Sequence, residues 1–176
     1  MNHWSYSLVE LNACSEAVDW CRTQPDLATA WAACERADWM LWLAGRLSGP
    51  AGDPRRITLA LACADCAETV PQSPGDAECL RVVRAWASGT VDIDEVRTAS
   101  ASASSAAYAA AADDAAAAAA NAADAADDAA AAAAYAAAYA AAAYADDAWP
   151  AAKTAHLKSM CEIVRRHYPE PPAMGE

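Results

Sequence analysis

Apolar residues recur at helical spacing almost from the start of this chain. Cys14, Val18 and Cys21 share one helical face, and Asn12 ahead of them is a good N-cap. The pattern predicts a first helix from Asn12 to about Arg22. Pro25-Asp26 opens a second, with Asp26 as cap and Leu27, Ala30, Trp31 and Cys34 on one side. A third is expected from Ala37 to Leu47, capped by Asp38 with Arg36 pairing nearby. Its centre, Trp39-Met40-Leu41-Trp42-Leu43-Ala44, is apolar on every face, as in a buried helix.

Beyond the loop-forming Gly49-Pro50-Ala51-Gly52-Asp53-Pro54, the residues Leu59, Cys63, Cys66 and Val70 form one stripe. Pro71 to Gly75 breaks that helix. The next spans Asp76 to Ala87, with Leu80, Val83 and Trp86 inward and Gly89 as its stop. Asp92-Ile93-Asp94-Glu95 then has the form of a capping box. Near the C-terminus, Pro150 suits the first turn of a last helix, whose inward stripe is Leu157, Met160, Cys161, Val164 and Tyr168. Pro169, Pro171 and Pro172 end it in a tail expected to fray. Alternating β-branched runs are absent, so no strand is predicted. The fold class is all-α: a compact multi-helix domain with an alanine-rich helical hairpin and a C-terminal amphipathic helix.

Composition changes this picture in one place. The chain has 176 residues, of which 54 are Ala, and 31 of these fall in the 43 residues from Ala106 to Ala148. Ala has the highest helix propensity, and neither Pro nor Gly interrupts the tract. One continuous helix of that length would extend ~65 Å, whereas a compact chain of this size has a radius of gyration of about 16 Å. Two helices folded back near Asn121 to Asp128 fit better. Tyr108, Tyr135, Tyr139 and Tyr144 would supply apolar contact that methyl groups cannot. The organisation expected is a mixed helical region with a Trp/Cys core (1–98), alanine-rich acidic helices (99–148), a C-terminal helix (149–168) and a tail (169–176), in one structural domain.

Charge follows the same division. The formal net charge is -12, and the tract holds Asp113, Asp114, Asp124, Asp127, Asp128, Asp146 and Asp147 with no basic residue between Ala101 and Pro150. Such a chain does not attract nucleic acid or an anionic membrane through its average field. No signal peptide or transmembrane run of bulky residues is visible, so a cytoplasmic location is expected. The Asp set is either a solvated face that keeps the bundle soluble or a negative surface for a basic partner. Its carboxylates are sparser than the phosphates of duplex DNA, so electrostatic steering suits it better than close mimicry.

Candidate chemistry is thin. Cys63-Ala-Asp-Cys66 has C-x-x-C spacing, but no second pair completes a zinc site, and the two thiols fall on an apolar helical stripe. Both are expected to pack in the core. His156 and His167 are too far apart along one helix to share an ion. No nucleophile elbow or phosphate loop exists. No catalytic residue, metal or cofactor is expected, and the protein is not expected to be an enzyme. Trp39 and Trp42 either fill the core or leave an indole edge exposed as a binding anchor.

The residues Asn12-Ala-Cys-Ser-Glu-Ala17, Ala30-Trp-Ala-Ala-Cys-Glu-Arg-Ala-Asp-Trp-Met-Leu-Trp-Leu43, the Ala/Tyr/Asp tract and Cys161-Glu-Ile-Val-Arg165 with Tyr168-Pro169 resemble the immunity proteins of bacterial polymorphic toxin systems, a family with phage-encoded relatives. The resemblance implies an all-helical protein that neutralises a toxin by binding it. The expected function is therefore a non-enzymatic inhibitor that blocks a basic protein effector, whether a toxin, a nuclease or a nucleic-acid-handling complex. Asp113, Asp114, Asp124, Asp127, Asp128, Tyr135, Tyr139 and Trp39 are the candidate partner-binding residues. Direct nucleic-acid or membrane binding is not expected, and the oligomeric state stays open. A phage counter-defence protein of anti-CRISPR or mimic type, and a helical scaffold or small-ligand binder, are the alternatives.

Overall fold

The structure is a computed structural model and describes residues 3–69, 74–110 and 149–174. Among these the regular elements are eight helices and no strands: α1 (Tyr6–Glu10), α2 (Ser15–Arg22), α3 (Leu27–Ala33), α4 (Ala37–Leu47), α5 (Pro54–Ala67), α6 (Pro74–Ala87), α7 (Ile93–Ala110) and α8 (Trp149–His167). The fold is all-α. No helix among the described residues is long and apolar enough to cross a membrane. The alanine tract beyond Ala110, with its expected turn at Asn121 to Asp128, lies outside the described residues, as does Val70. α7 itself carries the chain helically across the change in composition near residue 99.

Local signals set most helix ends. The Asp26 carboxylate accepts the Thr29 N–H at 2.6 Å, and Asp53 accepts that of Arg55 at 2.8 Å ahead of Pro54. Asp92 accepts from the N–H groups of Asp94 and Glu95 at 2.9 and 3.0 Å. Gly89 ends α6 with φ +75°, a conformation that costs glycine little. At Gly49 the requirement is space instead: a Cβ there would lie 2.1 Å from Asp53 Oδ2.

Two expectations about caps are corrected. Asn12 does not open a helix. It has φ +63° and donates its N–H back to the Val9 carbonyl, so it stops α1, and α2 starts three residues later behind an extended Cys14. Asn tolerates this left-handed conformation better than other side-chain-bearing residues, so one residue type serves both a start and a stop. Asp38 does not cap α4 either. Its carboxylate is engaged by the Arg36 guanidinium through bonds of 2.9 and 2.7 Å, and no side-chain cap is present at Arg36 itself.

The centre of the core is α5. Leu59, Ala60, Ala62, Cys63, Ala64, Cys66 and Ala67 are all fully buried, and α4, α6 and α8 pack around them. Small side chains on several faces let three helices approach one. α6 and α7 pack against each other, with Leu80, Val83 and Trp86 turned inward as expected. In α8, Leu157, Met160, Cys161 and Val164 form the buried stripe. The tail is not loose as far as Met174, which packs against the core.

Helix α8 is tied to distant parts of the chain by polar contacts. Trp31 Nε1 donates to the Tyr168 carbonyl at 3.0 Å, and the two rings meet edge-to-face at 6.4 Å. Arg165 donates to the carbonyls of Trp31 (3.1 Å) and Cys34. Lys158 pairs with Glu35, and the Tyr168 hydroxyl donates to the Arg55 carbonyl at 3.0 Å. On its other side, His167 Nε2 lies 2.8 Å from Asp65, which also receives Arg84 at 2.6 Å.

That last cluster sets an acid limit. Burial alone would raise the Asp65 pKa, but Arg84 and His167 outweigh it and hold the carboxyl below its ordinary value of 3.8. A depressed folded-state pKa gives stabilisation that is present above the unfolded value and lost as pH falls through the folded one. Asp65→Asn should therefore lower the urea midpoint at neutral pH, and the gap to wild type should narrow as the pH falls below the ordinary carboxyl value of 3.8. A gap that does not narrow on acidification below that value would refute the ion-pair account.

Candidate functional site

Two surface features could receive another molecule, and they share no lining residue. The first is an acidic cleft of about 570 Å³ between α6 and α7. Glu78 and Arg81 line it from α6. Asp92, Asp94, Glu95, Thr98 and Ser102 line it from the start of α7. Arg81 is the one base in these walls, and it is already bound to Glu78 at 2.6 and 2.7 Å. Its guanidinium holds the Glu78 pKa below the ordinary carboxylate value. Asp94 is held by Arg97 at 2.6 Å. The cleft thus carries four carboxylates against one arginine in its lining.

The scarce bases elsewhere are engaged in the same way. Arg22 pairs with Asp19, Arg55 with Asp53, and Arg84 with Asp65 and Glu68. Arg46 and Arg56 instead donate two bonds each to single carbonyls, those of Leu11 and Gly49. Cations used as internal ties leave the lining of this cleft net negative.

The second feature is an apolar cleft of about 50 Å³ among α1, α2, α3 and α4. Trp20 and Cys21 come from α2, Trp31 from α3, Cys34 from the bend that follows, and Trp39, Met40 and Trp42 from α4. Trp20 and Trp39 stand 5.9 Å apart at 51°, and the Arg36 guanidinium lies 4.3 Å from the centre of the Trp39 ring. Trp39 and Trp42 are half-buried, so each is both a core side chain and a cleft wall. The other candidate partner-binding residues, Asp113, Asp114, Asp124, Asp127, Asp128, Tyr135 and Tyr139, lie outside the described residues.

Sequence reasoning missed both clefts. Asp92 and Glu95 stood out only as a cap, and nothing in the spacing of Glu78 pointed toward them. Trp20, Cys21 and Cys34 meet Trp39 only because α2, α3 and α4 fold together.

The thiols and histidines are placed in structural surroundings. Cys63 and Cys66 are fully buried on the core face of α5. Burial pushes the Cys63 thiol up to about 12 and the Cys66 thiol well above its ordinary value. Burial likewise raises Cys161 to about 12 and Cys21 to about 11. Thiolate is the reactive form, so these groups are chemically quiet. Of the seven cysteines only Cys14 is exposed. An aromatic disulfide reagent at about pH 8 should modify one thiol per native chain and the remaining six only after unfolding. Fast reaction of two or more thiols in the native state would contradict this burial pattern.

Thr69 Oγ1 lies 3.1 Å from His156 Nε2, a spacing that suggests a nucleophile beside a base. The proton placement does not support that chemistry. Thr69 donates its hydroxyl proton to the Cys66 carbonyl at 2.6 Å, so it accepts from the Nε2–H of His156. Burial lowers the His156 pKa. No group of three or more metal-ligating side chains occurs among the described residues.

No family model, curated protein or solved structure matches this chain.

Proposed function

We propose that this protein is a non-enzymatic inhibitor of the immunity type, which binds a basic protein effector such as a toxin or nuclease and blocks it sterically. The acidic cleft between α6 and α7 carries the proposal. Its lining is net negative, four carboxylates against Arg81, and it lies at the base of the helix that leads into the tract bearing Asp113, Asp114, Asp124, Asp127 and Asp128. A face of this kind steers a cationic partner into encounter and disfavours neutral or acidic ones. Action in the cytoplasm, against an effector that reaches that compartment, belongs to the same proposal.

Affinity capture from the native host with mass spectrometry would identify the effector, and association kinetics would test the mechanism. The association rate should fall roughly tenfold between about 50 and about 300 mM salt, because exposed charges are screened within a Debye length of about 8–10 Å at intermediate strength. Neutralising Glu78, Asp92 and Glu95 to Gln, Asn and Gln should slow association further while changing dissociation less. An association rate indifferent to both salt and these substitutions would refute the acidic-face mechanism.

A further inference from the structure

We propose that the tryptophan-walled cleft among α1 to α4 is a preformed binding site for a small uncharged ligand that buries a branched or cyclic hydrocarbon group on the order of five carbons and leaves any polar end at the cleft mouth. Size sets the first limit. The space of about 50 Å³ exceeds several times the ~10–15 Å³ that one water requires. It is far below the roughly 300–1,000 Å³ of a site for drug-sized molecules. Wall chemistry sets the second limit. The surface that the lining presents to the cleft is almost wholly apolar, and two of the polar groups in its walls are already bonded. Trp31 Nε1 is bonded to the Tyr168 carbonyl, and the Cys34 thiol donates to the Arg36 carbonyl at 3.4 Å.

Water needs two to four polar partners to be held in such a space, and these walls do not supply them. A charged ligand would meet no opposite charge inside and would lose its hydration. A neutral hydrocarbon loses nothing on entry and gains contact with indole rings, Met40 and two sulfur atoms. The walls are also fixed before any ligand arrives. Arg36 is held by Asp38 and Glu16 while lying over Trp39, and Trp31 is locked by Tyr168. Little side-chain ordering therefore remains to oppose binding. This site is independent of the acidic cleft, and the inhibitor function can fail without affecting it.

The test uses the full chain with methyl-labelled methionine. Four methionines give a simple spectrum, and Met40→Leu assigns the Met40 signal. Titration with cyclopentanol should shift the Met40 methyl saturably in the millimolar range and leave that of Met160, buried elsewhere, unmoved. The polar probe 1,3-propanediol should leave both signals in place. Filling the cleft with Ala17→Leu should abolish the response, with folding checked by circular dichroism. If that variant does not fold, Ala30→Val takes its place. Absence of a saturable Met40 shift in the wild-type protein would overturn the proposal. So would an equal response to 1,3-propanediol, or a full response in a folded, filled variant. A Met40 shift caused by a protein effector but not by cyclopentanol would make the occupant a partner's side chain and would also overturn it.

Discussion

Truncating Trp31 to alanine is expected to lower the unfolding free energy by about 3–5 kcal/mol, the largest effect of any single change considered for this chain. The side chain is 4% exposed, so nearly its whole surface is removed from water on folding. It also meets Tyr168 edge-to-face, and its indole N–H satisfies the Tyr168 carbonyl. Alanine would leave that carbonyl without its donor and open the cleft into a larger void, two costs that add to lost apolar burial. Domains are commonly stable by only about 5–15 kcal/mol, so the variant should be near the limit of folding. Urea unfolding followed by circular dichroism would measure the loss. A loss below about 1 kcal/mol would mean that Trp31 does not hold α8 against α3.

The second large effect is expected at Arg165. Its guanidinium satisfies the carbonyls of Trp31 and Cys34, where α3 ends and its last carbonyls have no helical partner. Arg165→Met keeps the length and the apolar stem but removes these charge-assisted bonds, at a cost of about 2–3 kcal/mol. Arg165→Lys should recover only part of it, because an ammonium lacks the planar fork that spans two acceptors. Trp31 and Arg165 serve one joint, so their losses should not add. A double variant is expected to lose less than the sum of the single variants by at least about 0.5 kcal/mol. Strict additivity would show two independent contacts instead of one latch.

These contacts indicate what was legible in the chain. Asp26 as a cap, the limits of α4, Gly89 as a stop and the inward stripes of α6 and α8 all follow from spacing and from side chains that act within one turn. Asn12 is ambiguous in the sequence because its amide suits two opposite roles, and the choice depends on whether a helix precedes it. α4 has the pattern of a buried helix because its residues are large and apolar. α5 takes the central place because its Ala and Cys side chains are small enough for three neighbours, a property that resembles indifference in a hydrophobicity pattern. The cost of central burial is visible at Arg56, which is 5% exposed and donates two hydrogen bonds to the Gly49 carbonyl.

The sequence by itself determined the all-α class, the positions of most helices and the acidity of the chain, because propensity, periodicity and capping act over a few residues. Tertiary structure decided which helix lies at the centre and where the two clefts form. It also decided that Trp31 and Arg165, 134 residues apart, share one joint. Such pairings depend on how rigid helices pack, and packing is set by the summed shape of many side chains. No local pattern records that sum.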